Sequence, residues 1–371
     1  MRCSVPSRSG VAGRLSMSAP ASGFGLVEVM VAMVIGLLVT IVIFQVFAVF
    51  ESQKRTTTSG GDSQQNGLLA LYTIQREARM AGYGINYVPL LGCNVIAYDA
   101  GPPVRNFNFT LAPVQITDGA SGAPDSITVV YGDSNNLMAS VRLLQAAAAA
   151  DTFFVVDNAF GFTAGDTIIA GEVGKSCSLG TVNSVAASNV NRPAGSYTDA
   201  NGATNVARYN KSGGLGVDYG VWNVATQSGG RLFDLGLAPA VVTYSVQNSQ
   251  LTVQNLLTGA NPSAVIDGIV QLQAQYGKDT DGDGAVDSWT AAAPVTSADW
   301  AAVLALRLAV VARSQQFERP NAQTGVCNTT TSAPTWAGGA IDLTADANWQ
   351  CYRYRLFETI VPVRNQIWVP V

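Results

Sequence analysis

From Phe24 to Phe50 the chain runs for 27 residues with a single charge, Glu28, and one other strongly polar side chain, Gln45. Wound as an α-helix, such a run is about 40 Å long, more than the roughly 30 Å of a bilayer's hydrocarbon core. Its valines and isoleucines are no obstacle, because in lipid only a helix satisfies the backbone groups of an open segment. A secretory signal has an apolar stretch of only about 7–15 residues followed by a small-residue cleavage site. Here the run is too long, and its small residue, Gly23, precedes it. Arg2, Arg8 and Arg14 lie before the run and a long polar chain follows. That asymmetry predicts an N-terminus in the cytoplasm and the C-terminal bulk across the membrane.

Glu28 is the exception within the run. A carboxylate in lipid costs several kcal/mol unless neutralised, so it demands a partner. The order Gly23-Phe24-Gly25-Leu26-Val27-Glu28 places an acid at the fifth position after a glycine. An uncleaved signal anchor with a glutamate near its end would read the same way. The order resembles the class III signal of type IV prepilins and pseudopilins. That resemblance implies that a membrane aspartyl protease, the prepilin peptidase, cuts after Gly23 and methylates the new Phe24 amine. It also implies that Glu28 pairs with the free amine of a neighbouring subunit. Residues 1–23 then form a leader, long for this family. A start at Met17 gives a seven-residue leader, but one without basic residues.

Without the three leader arginines, 18 basic residues face 25 acidic ones, a net charge of −7. This argues against nucleic acid as the main electrostatic partner. Beyond Cys3 in the leader, four cysteines remain: Cys93, Cys177, Cys327 and Cys351. An even count in an exported domain predicts two disulfides, with three possible connectivities. Proximity in sequence pairs Cys93 with Cys177 and Cys327 with Cys351. Zinc is the competing use, but the chain has no Cys-x-x-Cys and no histidine. The missing histidine also removes Ser-His-Asp and Cys-His catalysis, leaving only carboxylate chemistry, and no enzyme is expected.

The 371 residues allow a membrane helix plus one large or two modest domains. After Glu51-Ser52-Gln53-Lys54-Arg55 comes Gly60-Gly61, a weak point at about 1 kcal/mol per glycine. A second helical pattern follows, with Leu68, Leu69, Leu71, Tyr72, Ile74 and Ala78 apolar. Gly82 suits a left-handed cap. The expectation is one helix over 24–81, membrane-spanning over 24–50 and loosened near Gly60. Its second stripe should lie on a β-rich region, 82–371.

From about Asn86 short β-like runs alternate with Gly, Asn, Asp, Ser and Pro. The clearest are Ser126–Tyr131, Thr152–Val156, Thr167–Ala170, Ile266–Tyr276, Val303–Val311 and Tyr352–Pro362. Val241–Val246 and Leu251–Val253 form a predicted hairpin. Ala146–Ala150 reads as a helical turn and residues 195–232 as a surface insertion. Trp289, Trp300, Trp336, Trp349 and Trp368 are expected to anchor the β core. Arg307, Arg313, Arg353, Arg355 and Arg364 alternate with apolar residues and are placed on solvent faces. No internal repeat is present.

Asp279-Thr280-Asp281-Gly282-Asp283-Gly284-Ala285-Val286-Asp287 sets carboxylates at loop positions 1, 3, 5 and 9 with glycine at 6. This is the front half of a calcium loop, in which alternating acids converge on one ion. Position 12 is Thr290, where an EF-hand has a bidentate glutamate, so the shell needs another ligand or water. A bound Ca2+ in a structural role is expected at Asp279, Asp281, Asp283 and Asp287. The plain alternative is a solvated turn whose aspartates bond their own backbone.

Several segments together resemble the PilW family of type IV pilus assembly minor pilins. They are Asn66-Gly67 through Arg79-Met80-Ala81-Gly82-Tyr83, the stretch Tyr276 to Gly284, Val303 to Leu308, Val311 to Ser314, and Val361 to Asn365. Residues 85–265 match loosely. Many major pilins carry a kinking proline where this chain has Gln45. The resemblance implies an α+β, pilin-like fold, with the long N-terminal helix packed on a large β-rich domain. It implies a structural role in initiating pilus assembly near the tip, beside other minor pilins and the major pilin, in support of twitching motility, adhesion or DNA uptake. The protein would sit in the inner membrane with its C-terminal domain in the periplasm, and later in the extracellular pilus. Two other readings share these features: a type II secretion pseudopilin, and an adhesin carried on a pilin stalk with residues 85–265 as its recognition surface.

Overall fold

The computed structural model describes residue 23 and residues 25–136 and 139–367; the rest of the leader, Phe24 and Trp368 lie outside the described residues. One helix, α1, runs unbroken from Leu26 to Met80. Residue contacts divide the chain after Thr56 into two compact units.

In the first unit every residue from Gly25 to Phe50 is exposed, although nearly all are apolar. A helix apolar on all sides needs an apolar surrounding. Its one hydroxyl, Thr40, donates to the Gly36 carbonyl and so is satisfied inside the helix. The helix continues through Gln45 and through Gly60-Gly61, so neither position breaks it. The expected loosening at Gly60 does not occur.

In the second unit α1 buries Ser59, Ser63, Gly67, Ala70, Leu71, Ile74, Glu77 and Ala78, and Ala81 just past its end continues the stripe. These positions fall on one face at about 100° per residue. Leu68, Leu69 and Tyr72, expected in the same stripe, are 52, 48 and 61% exposed. They point away because they stand about 100–200° around the helix from Gly67.

Three main sheets complete this unit. A six-stranded sheet has the order Arg105–Thr110, Asn94–Asp99, Cys177–Thr181, Thr167–Gly171, Arg231–Gly236 and Val141–Arg142. A five-stranded sheet runs Ser263–Asp267, Gln250–Asn255, Ala240–Gln247, Ser126–Tyr131 and Val114–Thr117, all antiparallel. A C-terminal sheet runs Ser288–Thr290, Ile269–Lys278, Val303–Arg313 and Tyr354–Pro362. One core gathers the α1 stripe with Ile127, Val129 and Val241 of the five-stranded sheet and Leu272, Leu306 and Leu308 of the C-terminal sheet. Tyr276 joins the two sheets: it is fully buried, and the Ile116 N–H donates to its hydroxyl.

The hairpin at residues 240–255 turns through Asn248 and Ser249, both at positive φ (51° and 60°), as a two-residue turn with the sheet's twist requires. Three other expectations are corrected. Ile266–Tyr276 is not one strand: Gly268, at φ +74°, separates two strands belonging to different sheets. Ala146–Ala150 holds an isolated bridge from Ala147 to Tyr219 and a turn, with no helix. Residues 195–232 are not merely a surface insertion, since Tyr209 and Tyr219 are buried and the strand beginning at Arg231 enters the six-stranded sheet. Their Gly and Asn content conceals those few anchoring aromatics.

Trp300 and Trp336 are buried as expected, Trp300 edge-on to Tyr276. Arg307 lies over the Trp289 ring and Arg313 pairs with Asp346 at 2.8 Å, so these two are held on the sheet rather than free in solvent.

The joint between α1 and the β region has specific contacts. A Cβ at Gly67 would come within 2.1 Å of the edge of the Phe357 ring, an approach that glycine permits. Gly82, at φ +80°, ends the helix and gives its N–H to Val130 rather than back to the helix. The carbonyls of Met80, which also accepts from the Tyr83 N–H, and of Ala81 accept from the Asn365 carboxamide at 3.1 and 3.0 Å. We expect Gly67→Val to destabilise the protein by about 1–3 kcal/mol despite removing a mid-helix glycine. Thermal melts of Gly67→Val and of Gly67→Val with Phe357→Leu check this: the second change should recover much of the loss.

Buried carboxyls give this unit a pH dependence, Asp234 and Asp125 most strongly and Asp166 in the same direction. Asp234 accepts from Ser134 Oγ (2.6 Å) and Gly236 N–H (2.9 Å), and Asp125 accepts from Gly119 N–H (2.9 Å) and Ala274 N–H (2.7 Å). Burial outweighs these bonds and pushes both up to about 6. Their folded-state values exceed the unfolded ones, so their contribution is fully present below about pH 4 and is lost as pH rises through 6. At roughly 1.4 kcal/mol per unit, each group costs up to about 3 kcal/mol at pH 7.5. The protein should therefore melt higher at pH 5.5 than at 7.5. Asp234→Asn keeps the Gly236 bond and can donate to Ser134; we expect it to raise the pH 7.5 melting point and roughly halve the difference between the two pH values.

Candidate functional site

The first candidate site is the start of α1. Helical bonding begins at the Gly25 carbonyl, which accepts from the N–H of Glu28 (2.9 Å) and Val29 (3.2 Å). Glu28 stands in the first turn, where the positive end of the helix dipole favours an acid. Its side chain is exposed on an otherwise apolar surface and no described residue pairs with it. Gly23 is exposed two residues upstream of Gly25, and Phe24 lies outside the described residues.

The second is the acidic loop, which closes the hairpin between Ile269–Lys278 and Ser288–Thr290, with Lys278 opposite Ser288. Asp279 is fixed by its N–H to the Ala302 carbonyl (2.9 Å) and accepts from the N–H groups of Gly282 (2.7 Å) and Gly284 (2.8 Å). Asp281 and Asp283 each accept from the N–H two residues on. Gly282 and Gly284 take the left-handed conformations that this winding needs, at φ +80° and +84°. One oxygen from each of Asp279, Asp281 and Asp283 lies within 4.8 Å of the others. Three carboxylates so close repel one another unless a cation is shared.

Asp287 stands apart from that group. Its carboxylate accepts from the Thr280 N–H (2.6 Å) and hydroxyl (2.9 Å), which hold it below the usual carboxylate range. It braces the loop, and three of the four predicted acids converge. Thr290 lies in a strand opposite Tyr276 and its hydroxyl accepts from Ala292 N–H, so it does not take the role of an EF-hand's twelfth residue. Strands rather than helices flank the loop, which carries that residue away.

The four cysteines form two disulfides, Cys93–Cys177 and Cys327–Cys351, with Cα separations of 6.0 and 4.9 Å. Cys93 precedes the strand Asn94–Asp99, which runs parallel to the strand opening at Cys177. Cys351 tethers the long loop that covers the outer face of the C-terminal sheet through Trp336, Ile341 and Leu343. Among the described residues, Asp279, Asp281 and Asp283 are the one grouping of His, Cys, Asp or Glu close enough to share an ion.

Two charged centres escape a reading of sequence. Asp99, 1% exposed, receives Arg208 through Nε and Nη2 (2.5 and 2.8 Å) and Arg105 through Nε (3.2 Å). Burial works against its charge, but Arg208, the Gly101 N–H and Arg105 outweigh that and hold its carboxyl low. Glu77, buried on α1, accepts from the Tyr131 hydroxyl and pairs with Arg76 at 2.9 Å. The Asp99–Arg208 and Glu77–Tyr131 contacts join residues 109 and 54 positions apart, and no local pattern signals either.

A long apolar helix with an acid in its first turn, continuing into a β-rich region, defines the pilin-like α+β class. Residues 19–44 match the family described as Prokaryotic N-terminal methylation motif. Residues 221–365 match the family described as Type IV Pilus-assembly protein W. Together the two matches support a PilW-type pilin. No curated protein and no solved structure matches it. The methylation motif spans Gly23, Phe24 and Glu28, and the PilW match takes in the acidic loop and the whole C-terminal sheet. The segment Asn66 to Tyr83 lies outside both.

Proposed function

We propose that this type IV pilus-associated pilin is a minor subunit that helps to initiate pilus assembly near the tip. In this reading prepilin peptidase cleaves after Gly23 and exposes the Phe24 amine. The subunit waits in the inner membrane with its β region in the periplasm, an orientation that Arg2, Arg8 and Arg14 favour. Assembly moves the apolar half of α1 from lipid into contact with the helices of other minor pilins and the major pilin. The observation that carries the reading is Glu28: a carboxylate in an apolar surface, without a partner among the described residues. A neighbour's terminal amine neutralises it, and the low dielectric makes that pair count for far more than it would in water.

The remaining roles are structural. The β region sets which subunit lies beside it, and no part of the reading calls for catalysis. In the acidic loop Asp279, Asp281 and Asp283 hold a Ca2+ ion, with water or backbone oxygens completing the shell and Asp287 bracing the turn. The convergence of the three carboxylates supports this, and a hard, flexible oxygen geometry suits calcium better than magnesium.

Three measurements test the proposal. In a deletion strain, surface pili should be lost while protein secretion continues; intact pili with failed secretion would move the protein to the secretion pseudopilins. Glu28→Ala should be processed and retained in the membrane but absent from sheared pili, and normal incorporation would sink the pairing. For the purified protein, millimolar calcium should add about 1–2 kcal/mol of stability, read as a few degrees in the melting point. An Asp281→Ala/Asp283→Ala variant should show no such gain; an equal gain would remove the site.

A further inference from the structure

A cavity of about 440 Å³ opens on the β region, within the size range of small-ligand sites. Its floor includes Thr167 and Thr181, from adjacent strands of the six-stranded sheet. One wall is the small hairpin Ser196–Thr198 and Thr204–Val206; the other is formed by residues 237–240 and 255–258.

The walls are fixed before any ligand arrives. Tyr209 donates its backbone N–H to Thr181 Oγ1 (3.2 Å) and its hydroxyl to the Leu257 carbonyl (3.2 Å). Arg208 is clamped on Asp99 and also donates to the Thr258 carbonyl (2.7 Å). Gly165, at φ +102°, passes beneath Tyr197: a Cβ there would come within 2.8 Å of the tyrosine hydroxyl.

Within this fixed frame, several polar atoms lining the cavity have no hydrogen-bond partner among the described residues. They are the hydroxyls of Tyr197 and of Thr167, the Asn255 Nδ2, the Asn205 Oδ1 and the Arg208 Nη1. Thr167, 3% exposed, lines the cavity from within the sheet. Beside these groups stand Val206 and Leu237, 62 and 65% exposed. The site thus offers mixed donors and acceptors next to an apolar lip.

Charge narrows the ligand. Arg208 shares Asp99 with Arg105; Asp199, beyond the hairpin, is held by the N–H groups of Asn201 and Ala203 and by Asn205 Nδ2, and Asp166, between the lining residues Gly165 and Thr167, is held by the Thr163 N–H and hydroxyl. With charges of both signs around it and each bonded to other groups, the site selects neither anion nor cation. Neither imidazole, thiol nor carboxylate lines it, so it is not a metal site. We propose that this cavity binds one neutral pyranose ring. Sugar hydroxyls both donate and accept, matching the unmet set, and the C–H face of the ring suits the apolar lip and the Tyr197 ring.

The proposal does not depend on the role in pilus assembly, because none of these residues lies on α1. The test uses the full chain in an amine-oxide detergent, which carries no sugar headgroup. The probes are methyl glycosides of glucose, galactose, mannose and N-acetylglucosamine, followed by saturation-transfer NMR, with N-acetylneuraminic acid as the charged comparison. We expect at least one neutral glycoside to bind saturably with a millimolar or tighter Kd. Val206→Trp, which crowds the mouth from an exposed position, should abolish binding. Tyr197→Phe should weaken it about fivefold, the loss of one hydrogen bond. Phe160→Ala, on an exposed loop outside the cavity lining, should leave it unchanged. Melting curves of each variant confirm that the fold is retained. No saturable binding to any neutral glycoside, binding that survives Val206→Trp, or binding of the acidic sugar alone would overturn the proposal.

Discussion

A single helix must satisfy two different surroundings, and the rest of the architecture follows from that. From Gly25 to Phe50 α1 presents apolar side chains on every face and buries none. From Ser59 to Ala78 it buries one narrow stripe, small residues with Leu71 and Ile74 among them, interrupted by the acid Glu77. The backbone is indifferent to the change, because every helical bond is internal. What changes is the medium that the side chains require: lipid or other helices for the first part, the protein's own sheets for the second.

The second part is attached by geometry as much as by apolar area. Glycine at position 67 weakens an isolated helix, yet it admits the Phe357 ring to the helix backbone. Glu77 is buried with a bonded hydroxyl and a flanking guanidinium, so the polar group in the stripe is satisfied rather than stranded. The end of the helix is closed by groups from far along the chain, Val130 and Asn365. Together these contacts fix the rotation of α1 on the β region, and with it the outward direction of Leu68, Leu69 and Tyr72.

The acidic loop shows how a fold edits a motif. Sequence spacing offers four carboxylates to one ion, and the strand pairing at Lys278 and Ser288 leaves a closed loop of nine residues between them. Inside that loop the left-handed glycines let Asp279, Asp281 and Asp283 converge, while Asp287 at the exit turns to Thr280. Much of the fold was legible in the same way. The limits of Ser126–Tyr131 coincide with the expected strand, because β-branched residues bounded by turn formers leave little choice. By contrast Ile266–Tyr276 reads as one apolar run although Gly268 divides it, since composition does not reveal which sheet each half joins.

The sequence alone determined the properties that are local or cumulative. These are the span of the apolar helix, the acid at the fifth place after Gly23, the cap at Gly82, the turn at Asn248-Ser249 and the acidic loop. Each rests on residues within a few positions of one another, where backbone preference and hydropathy act directly. Tertiary structure alone decided which face of α1 is covered, which acid leaves the loop cluster, and where Asp99 finds Arg208. It also decided that a Gly- and Asn-rich stretch would wall a cavity with unmet hydrogen bonds. Those outcomes depend on residues from distant segments meeting at one point, and excluded volume and desolvation act only once they have met.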